Sequence, residues 1–196
     1  MFEIRIHGRG GQGVVTAAEL LAVAAFDDGA YAQAFPSFGS ERTGAPVVAF
    51  TRIDDRRIRA HDPILTPDAL IIIDPTLLHQ VDVFGGLKSD GYLLINTSRS
   101  LAELHLQDLL ERLRQERVRT VAATELARGH LGRPLPNAAL LGAFAALTGA
   151  VTIEAVSRAI RERFAGQVGE ENVAAAEAAH ALLAAARTIK GEPSHV

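Results

Sequence analysis

The 196-residue chain contains no cysteine. It can therefore hold neither a disulfide nor a thiolate-bound iron–sulfur cluster or zinc. If it takes part in electron transfer, the redox centres sit on other chains. Lysine occurs only at Lys88 and Lys190, while arginine is abundant. That imbalance reads as genome composition bias rather than function. The formal net charge of −3 gives no reason to expect nucleic acid as a partner. There is no run of about 18 apolar residues, so no membrane span is expected. The N-terminus, MFEIRIHG, lacks a basic stretch followed by an apolar one, so no signal peptide is expected and the cytoplasm is the default location. The seven histidines are scattered without paired helical spacing, and no metal site is expected.

With 48% hydrophobic and 22% charged residues, the composition is that of a globular domain with one core, and the chain is read as a single domain over 1–196. Phe2–His7 alternates as a strand, and residues 13–28 place Val14, Ala17, Ala18, Leu21, Ala24 and Ala25 at helical spacing. Asp27-Asp28-Gly29 ends that helix. Tyr31–Phe35 reads as a strand closed by Pro36. Val47–Ile53, turned at Asp54-Asp55 into Arg56–Ala60, predicts a hairpin. ALIII at 69–73 and Tyr92–Ile95 are short apolar runs, as in strands buried on both faces. An amphipathic helix is expected over 105–116 and a strand over Val118–Ala122. Beyond residue 123, helices are expected over 137–148, 152–164 and 170–189, with Thr152 as an N-cap. The expected fold is α/β: a layered αβα arrangement with a largely parallel sheet and a helical C-terminal third.

The first strand and helix are joined by GRGGQG, residues 8–13. Glycines let backbone approach an anion, and a helix N-terminus adds free N–H groups and a favourable dipole. The spelling fits G-x-G-x-x-G, but a dinucleotide site also needs an acid at the end of the second strand. That strand ends Gln33-Ala34-Phe35-Pro36, and Asp27 and Asp28 precede it. A stand-alone NAD-dependent dehydrogenase and a scaffold whose elbow binds nothing are the two alternatives. No nucleophile–base pair or carboxylate dyad is visible, so no residue is assigned a catalytic role. Arg52, Arg56, Arg57 and Arg59 gather around the expected hairpin, where they would serve as a solvated edge or meet an anionic group. Asp74 and Asn96 end strands and would line a cleft or start turns. His7, directly before the elbow, reads as a hydrogen-bonded core histidine.

The stretch PSFGSERTGAPV is a long loop without periodicity, and such loops are usually functional. Three stretches together, GRGGQGVVTAAELLA, YAQAFPSFGSERTGAPV and NAALLGAF at 137–144, closely resemble the gamma subunit or domain of the 2-oxoacid:ferredoxin oxidoreductases, typified by pyruvate:ferredoxin oxidoreductase. The resemblance covers nearly the whole chain. Members of the family often carry arginine where this chain has Thr43, which removes one candidate phosphate or carboxylate contact.

The resemblance implies a subunit of an enzyme complex, inactive alone, that oxidatively decarboxylates a 2-oxoacid and passes the acyl group to coenzyme A. Pyruvate, 2-oxoglutarate and aryl oxoacids such as phenylglyoxylate are all compatible substrates. Thiamine diphosphate, magnesium and iron–sulfur clusters are expected on alpha- and beta-type subunits, a ferredoxin-like subunit and, in some complexes, a flavin subunit. Coenzyme A is expected near this chain. Carried onto this sequence, Gly8, Gly10, Gly11, Gln12 and Gly13 would contact a nucleotide phosphate. Ser40, Glu41 and Arg42 would face the cleft or a partner, and Asn137 would hydrogen-bond across to the same edge.

Overall fold

The computed structural model describes residues 1–37 and 43–189. Among these, six strands form one sheet in the order β2-β3-β1-β4-β5-β6. The strands are β1 (Phe2–Arg9), β2 (Tyr31–Pro36), β3 (Pro46–Asp54), β4 (Ala69–Ile72), β5 (Tyr92–Asn96) and β6 (Val118–Val121). β1, β4, β5 and β6 are mutually parallel, whereas β3 runs antiparallel to both β1 and β2. Five strands therefore point one way, as the largely parallel expectation requires.

β4 and β5 alternate between two cores. Ala69, Ile71 and Leu94 enter the core formed with helix α1 (Val14–Asp27) and the C-terminal helices, joined by Ile73 just past β4. Leu70, Ile72, Leu93 and Ile95 enter a smaller core on the other face. The first face is covered by α1 and by α3 (Ala123–Leu131), α4 (Asn137–Thr148), α5 (Ile153–Arg163) and α6 (Gln167–Ile189). The second face is covered by loops, the 3-10 turn at Pro75–His79 and the four-residue helix α2 (Gln107–Leu110).

Three expectations change. No strand forms at Arg56–Ala60, so the hairpin placed there is wrong. Both edges of β3 are already paired, by β1 and β2, and no edge remains for a third strand. The helix expected over 105–116 shrinks to α2, preceded by His105 at φ 54 and followed by a 3-10 turn at Gln115–Arg117. α3 was not expected at all. Its sequence, ATELARGHL, carries an internal glycine and few large apolar residues, which weakens the periodic signal.

Because β3 is an inner strand, Arg52 is not a hairpin-edge charge. It is 1% exposed. Its Nε donates to Glu3 Oε1 at 2.8 Å, its Nη2 donates to the Asp62 carbonyl at 2.7 Å, and the guanidinium lies 5.2 Å from the Phe35 ring centre. Arg56, Arg57 and Arg59 follow the end of β3, at the sheet edge opposite the elbow. They cannot share a site with it.

Candidate functional site

β1 leads through α1 to β2 on one side of the sheet, whereas β4 leads to β5 and β6 on the other. The carboxyl ends of β1 and β4 therefore border a topological switch point, where open α/β sheets form a binding crevice. The glycine elbow and Asp74 are the two segments that leave these strand ends.

The elbow residues are not equivalent. Gly8 lies within β1, opposite Val47. Gly10 donates its N–H to the Ala45 carbonyl at 2.9 Å and accepts from Gly44 N–H at 3.1 Å, with an isolated bridge to Thr43 beside it. Those groups stitch the elbow to the end of the long loop and are engaged already. Gln12 is also committed: its Oε1 accepts from Arg9 N–H at 2.8 Å, and its Nε2 donates to Asp74 Oδ2 at 2.8 Å. Gly11 and Gly13 differ. Among the described residues their N–H groups make no hydrogen bond, and Gly11 faces open space. Gly13 takes φ 75 as the residue before α1, a left-handed conformation that favours glycine, and α1 starts without a side-chain cap. The first-turn N–H groups of α1 are thus open.

A second helix start meets the first. α4 begins at Asn137, again with no side-chain cap. A Cβ placed on Gly13 would stand 2.8 Å from Asn137 Nδ2, so the asparagine amide lies directly against the elbow. Asn137 is 6% exposed, and its side chain makes no hydrogen bond among the described residues. Two helix dipoles and an unpartnered amide therefore share one spot, which is chemistry suited to an anion.

Asp74 organises the other wall. Its Oδ1 accepts from Thr76 N–H at 2.9 Å and Thr76 Oγ1 at 2.6 Å, and its Oδ2 accepts from Arg9 Nε at 3.1 Å as well as from Gln12. Burial by itself would raise this carboxyl. The hydrogen bonds from Thr76 and Gln12 and the charge of Arg9 outweigh burial and hold it below its ordinary value. Arg9 was not singled out from the sequence, because its partners lie 35 to 71 residues away along the chain.

Asn96 is structural. Its Nδ2 donates to the Ile73 carbonyl and to Thr124 Oγ1, both at 2.8 Å, and its Oδ1 accepts from Thr124 N–H at 3.1 Å, which caps α3. His7 accepts at Nε2 from Arg5 Nε at 3.0 Å. Burial and the Arg5 charge, against a smaller opposing pull from Asp82, push its pKa down to about 4. His7 is thus a neutral core histidine, as expected. Asp28 accepts from Thr152 N–H and Oγ1, and Asp27 pairs with Arg158, at the edge away from the elbow. Neither can hold a ribose there. Ser40, Glu41 and Arg42 lie outside the described residues. Among the described residues no cluster of three or more histidines and acids could hold a metal ion, and no helix is long and apolar enough to cross a membrane.

Residues 3–182 match the family model for pyruvate ferredoxin/flavodoxin oxidoreductase. The chain is 52% identical over 181 residues to the common gamma subunit of the pyruvate/ketoisovalerate oxidoreductases of Thermococcus kodakarensis, covering 91% of this chain and 95% of that one. The chain belongs to the gamma subunits of the 2-oxoacid:ferredoxin oxidoreductases. Within this family, the pyruvate oxidoreductase subunit PORC of Thermotoga maritima superposes with a TM-score of 0.77 at 36% identity, over 92% of this chain and 95% of that one. A 2-oxoglutarate:ferredoxin oxidoreductase from Magnetococcus marinus, solved with 2-oxoglutarate, coenzyme A and succinyl-CoA, shares the fold. Its TM-score is 0.72 at 18% identity, over 94% of this chain and 31% of that longer one. Gamma subunits of this family belong to a multi-subunit oxidoreductase complex.

Proposed function

We propose that this gamma subunit seats a phosphate of coenzyme A at the sheet edge, within a complex that oxidatively decarboxylates a 2-oxoacid to its acyl-CoA. The observation that carries this reading is the Asn137 side chain, 6% exposed and without a hydrogen-bond partner among the described residues, at the uncapped start of α4 and against the uncapped start of α1. An amide that no protein group engages is available to a ligand, and a charged acceptor makes the stronger hydrogen bond. A phosphate supplies acceptors both for that amide and for the N–H groups of Gly11, Gly13 and the first turn of α1. The Magnetococcus protein, similar in fold, carries coenzyme A, which supports the choice of anion.

In this reading thiamine diphosphate with magnesium supplies the carbanion chemistry from partner subunits, and iron–sulfur clusters there carry the electrons. Alpha- and beta-type thiamine subunits, a ferredoxin-like subunit and, where the acceptor requires it, a flavin subunit are the partners, in the cytoplasm. This chain binds and orients the acyl acceptor and completes the cleft. Asn137→Ala in the assembled complex should raise KM for coenzyme A roughly tenfold, the size of one hydrogen bond to a charged group. KM for the oxoacid should stay unchanged. An unaltered KM for coenzyme A removes the elbow from the site.

A further inference from the structure

The phosphate seat has a negatively charged neighbour, and something must cancel it. Asp74 is 9% exposed, and it touches the elbow through the Gln12 amide. Its carboxylate is kept ionised by its hydrogen-bond partners, so it would repel any phosphate arriving at Gly11–Gly13. Among the described residues the one cation paired with it is Arg9. The same guanidinium donates from Nη1 to the Gly44 carbonyl at 3.1 Å, and from Nη2 to Thr76 Oγ1 and Gln80 Oε1, each at 2.7 Å. With Nε on Asp74, four of its five N–H groups are already taken by protein acceptors. Arg9 therefore has little left to offer a ligand directly.

We propose that Arg9 is a positioning residue that makes the elbow acceptable to an anion. Its charge neutralises Asp74, and its fork ties the end of β1 to Gly44 and to the turn after β4. This inference rests on the phosphate reading above. Asp74 is retained because it orders Gln12 and Thr76, and Arg9 is the counter-charge that this ordering requires.

The test is steady-state kinetics of the assembled complex with coenzyme A as the varied substrate, for Arg9→Gln, Arg9→Lys, Asp74→Asn, the double variant Arg9→Gln/Asp74→Asn, and Asn137→Ala. Arg9→Gln should raise KM for coenzyme A roughly tenfold, as expected for an uncancelled carboxylate at this range, with kcat at saturation nearly unchanged. Arg9→Lys keeps the charge and should stay within about threefold of the parent. Removing the carboxylate in the double variant should bring KM back toward the parent value, which a purely structural role for Arg9 would not do. If Arg9→Gln raises KM and the double variant recovers nothing, charge cancellation is wrong. If Arg9→Gln leaves KM untouched while Asn137→Ala raises it, the proposal fails and the phosphate reading stands. If neither changes KM, the phosphate reading itself falls and this inference falls with it.

Discussion

Four of the helices begin in two contrasting ways. α3 and α5 start closed: Asn96 caps α3 from β5, and Thr152 caps α5 by accepting from Ala155 N–H at 3.1 Å. α1 and α4 start open, with glycine and proline at the cap positions and no side-chain bond. The closed starts are finished by the chain itself. The open ones leave N–H groups beside the Asn137 amide, which has no hydrogen-bond partner among the described residues. In the proposed reading, an outside anion completes the two uncapped starts. Each variant below tests one side of this contrast.

The strongest test attacks what holds the open start of α4 in place. A Cβ on Gly142 would stand 1.9 Å from the Ala176 carbonyl of α6. Gly142→Ala must therefore push α4 off α6, and a loss of about 3 kcal/mol in urea unfolding is expected from overpacking against backbone that cannot yield. Stability close to the parent would mean that α4 shifts freely, and Asn137 would then not be fixed against Gly13.

A paired test sets one asparagine against the other. Asn96→Ala removes three hydrogen bonds at a buried site, so roughly 2 kcal/mol of stability should go, with KM for coenzyme A unchanged. Asn137→Ala should do the reverse, losing little stability because its amide pairs with nothing among the described residues, while KM rises. Equal stability losses in the two variants would erase the distinction between closed and open starts.

Much of this was legible in the sequence, for identifiable reasons. The two-sided apolar run ALIII and the strand ending at Asn96 could only be inner strands. Thr152 before an amphipathic run announced a cap, and glycines between a strand and a helix announced an elbow. What stayed hidden depended on pairing between distant segments. Arg52 looked like a surface charge until β3 proved to lie between β1 and β2, which buried it against Glu3. Gln12 looked free to meet a ligand until Asp74, 62 residues on, claimed its amide. Gly8 and Gly10 fit the motif by spelling, yet they serve the ladder and the loop, and only Gly11 and Gly13 remain open. Local pattern identifies a turn and its neighbours; which donors are left over depends on tertiary pairing.

The smallest expected effect lies at the closed start far from the crevice. Thr152 Oγ1 accepts from Ala155 N–H and donates to Asp28 Oδ1 at 2.7 Å, joining the start of α5 to the end of α1. In Thr152→Ala the backbone N–H of residue 152 can still reach Asp28 Oδ2, now at 2.6 Å, so part of the junction survives. The expected loss is about 1 kcal/mol, the usual worth of a helix cap, read as a lower thermal midpoint. Kinetic constants should not move, because the junction sits at the opposite end of α1 from Gly13. A raised KM for coenzyme A in this variant would show that α1 transmits strain along its length. The open start would then owe its geometry to the closed one, and the two ends could no longer be treated as independent.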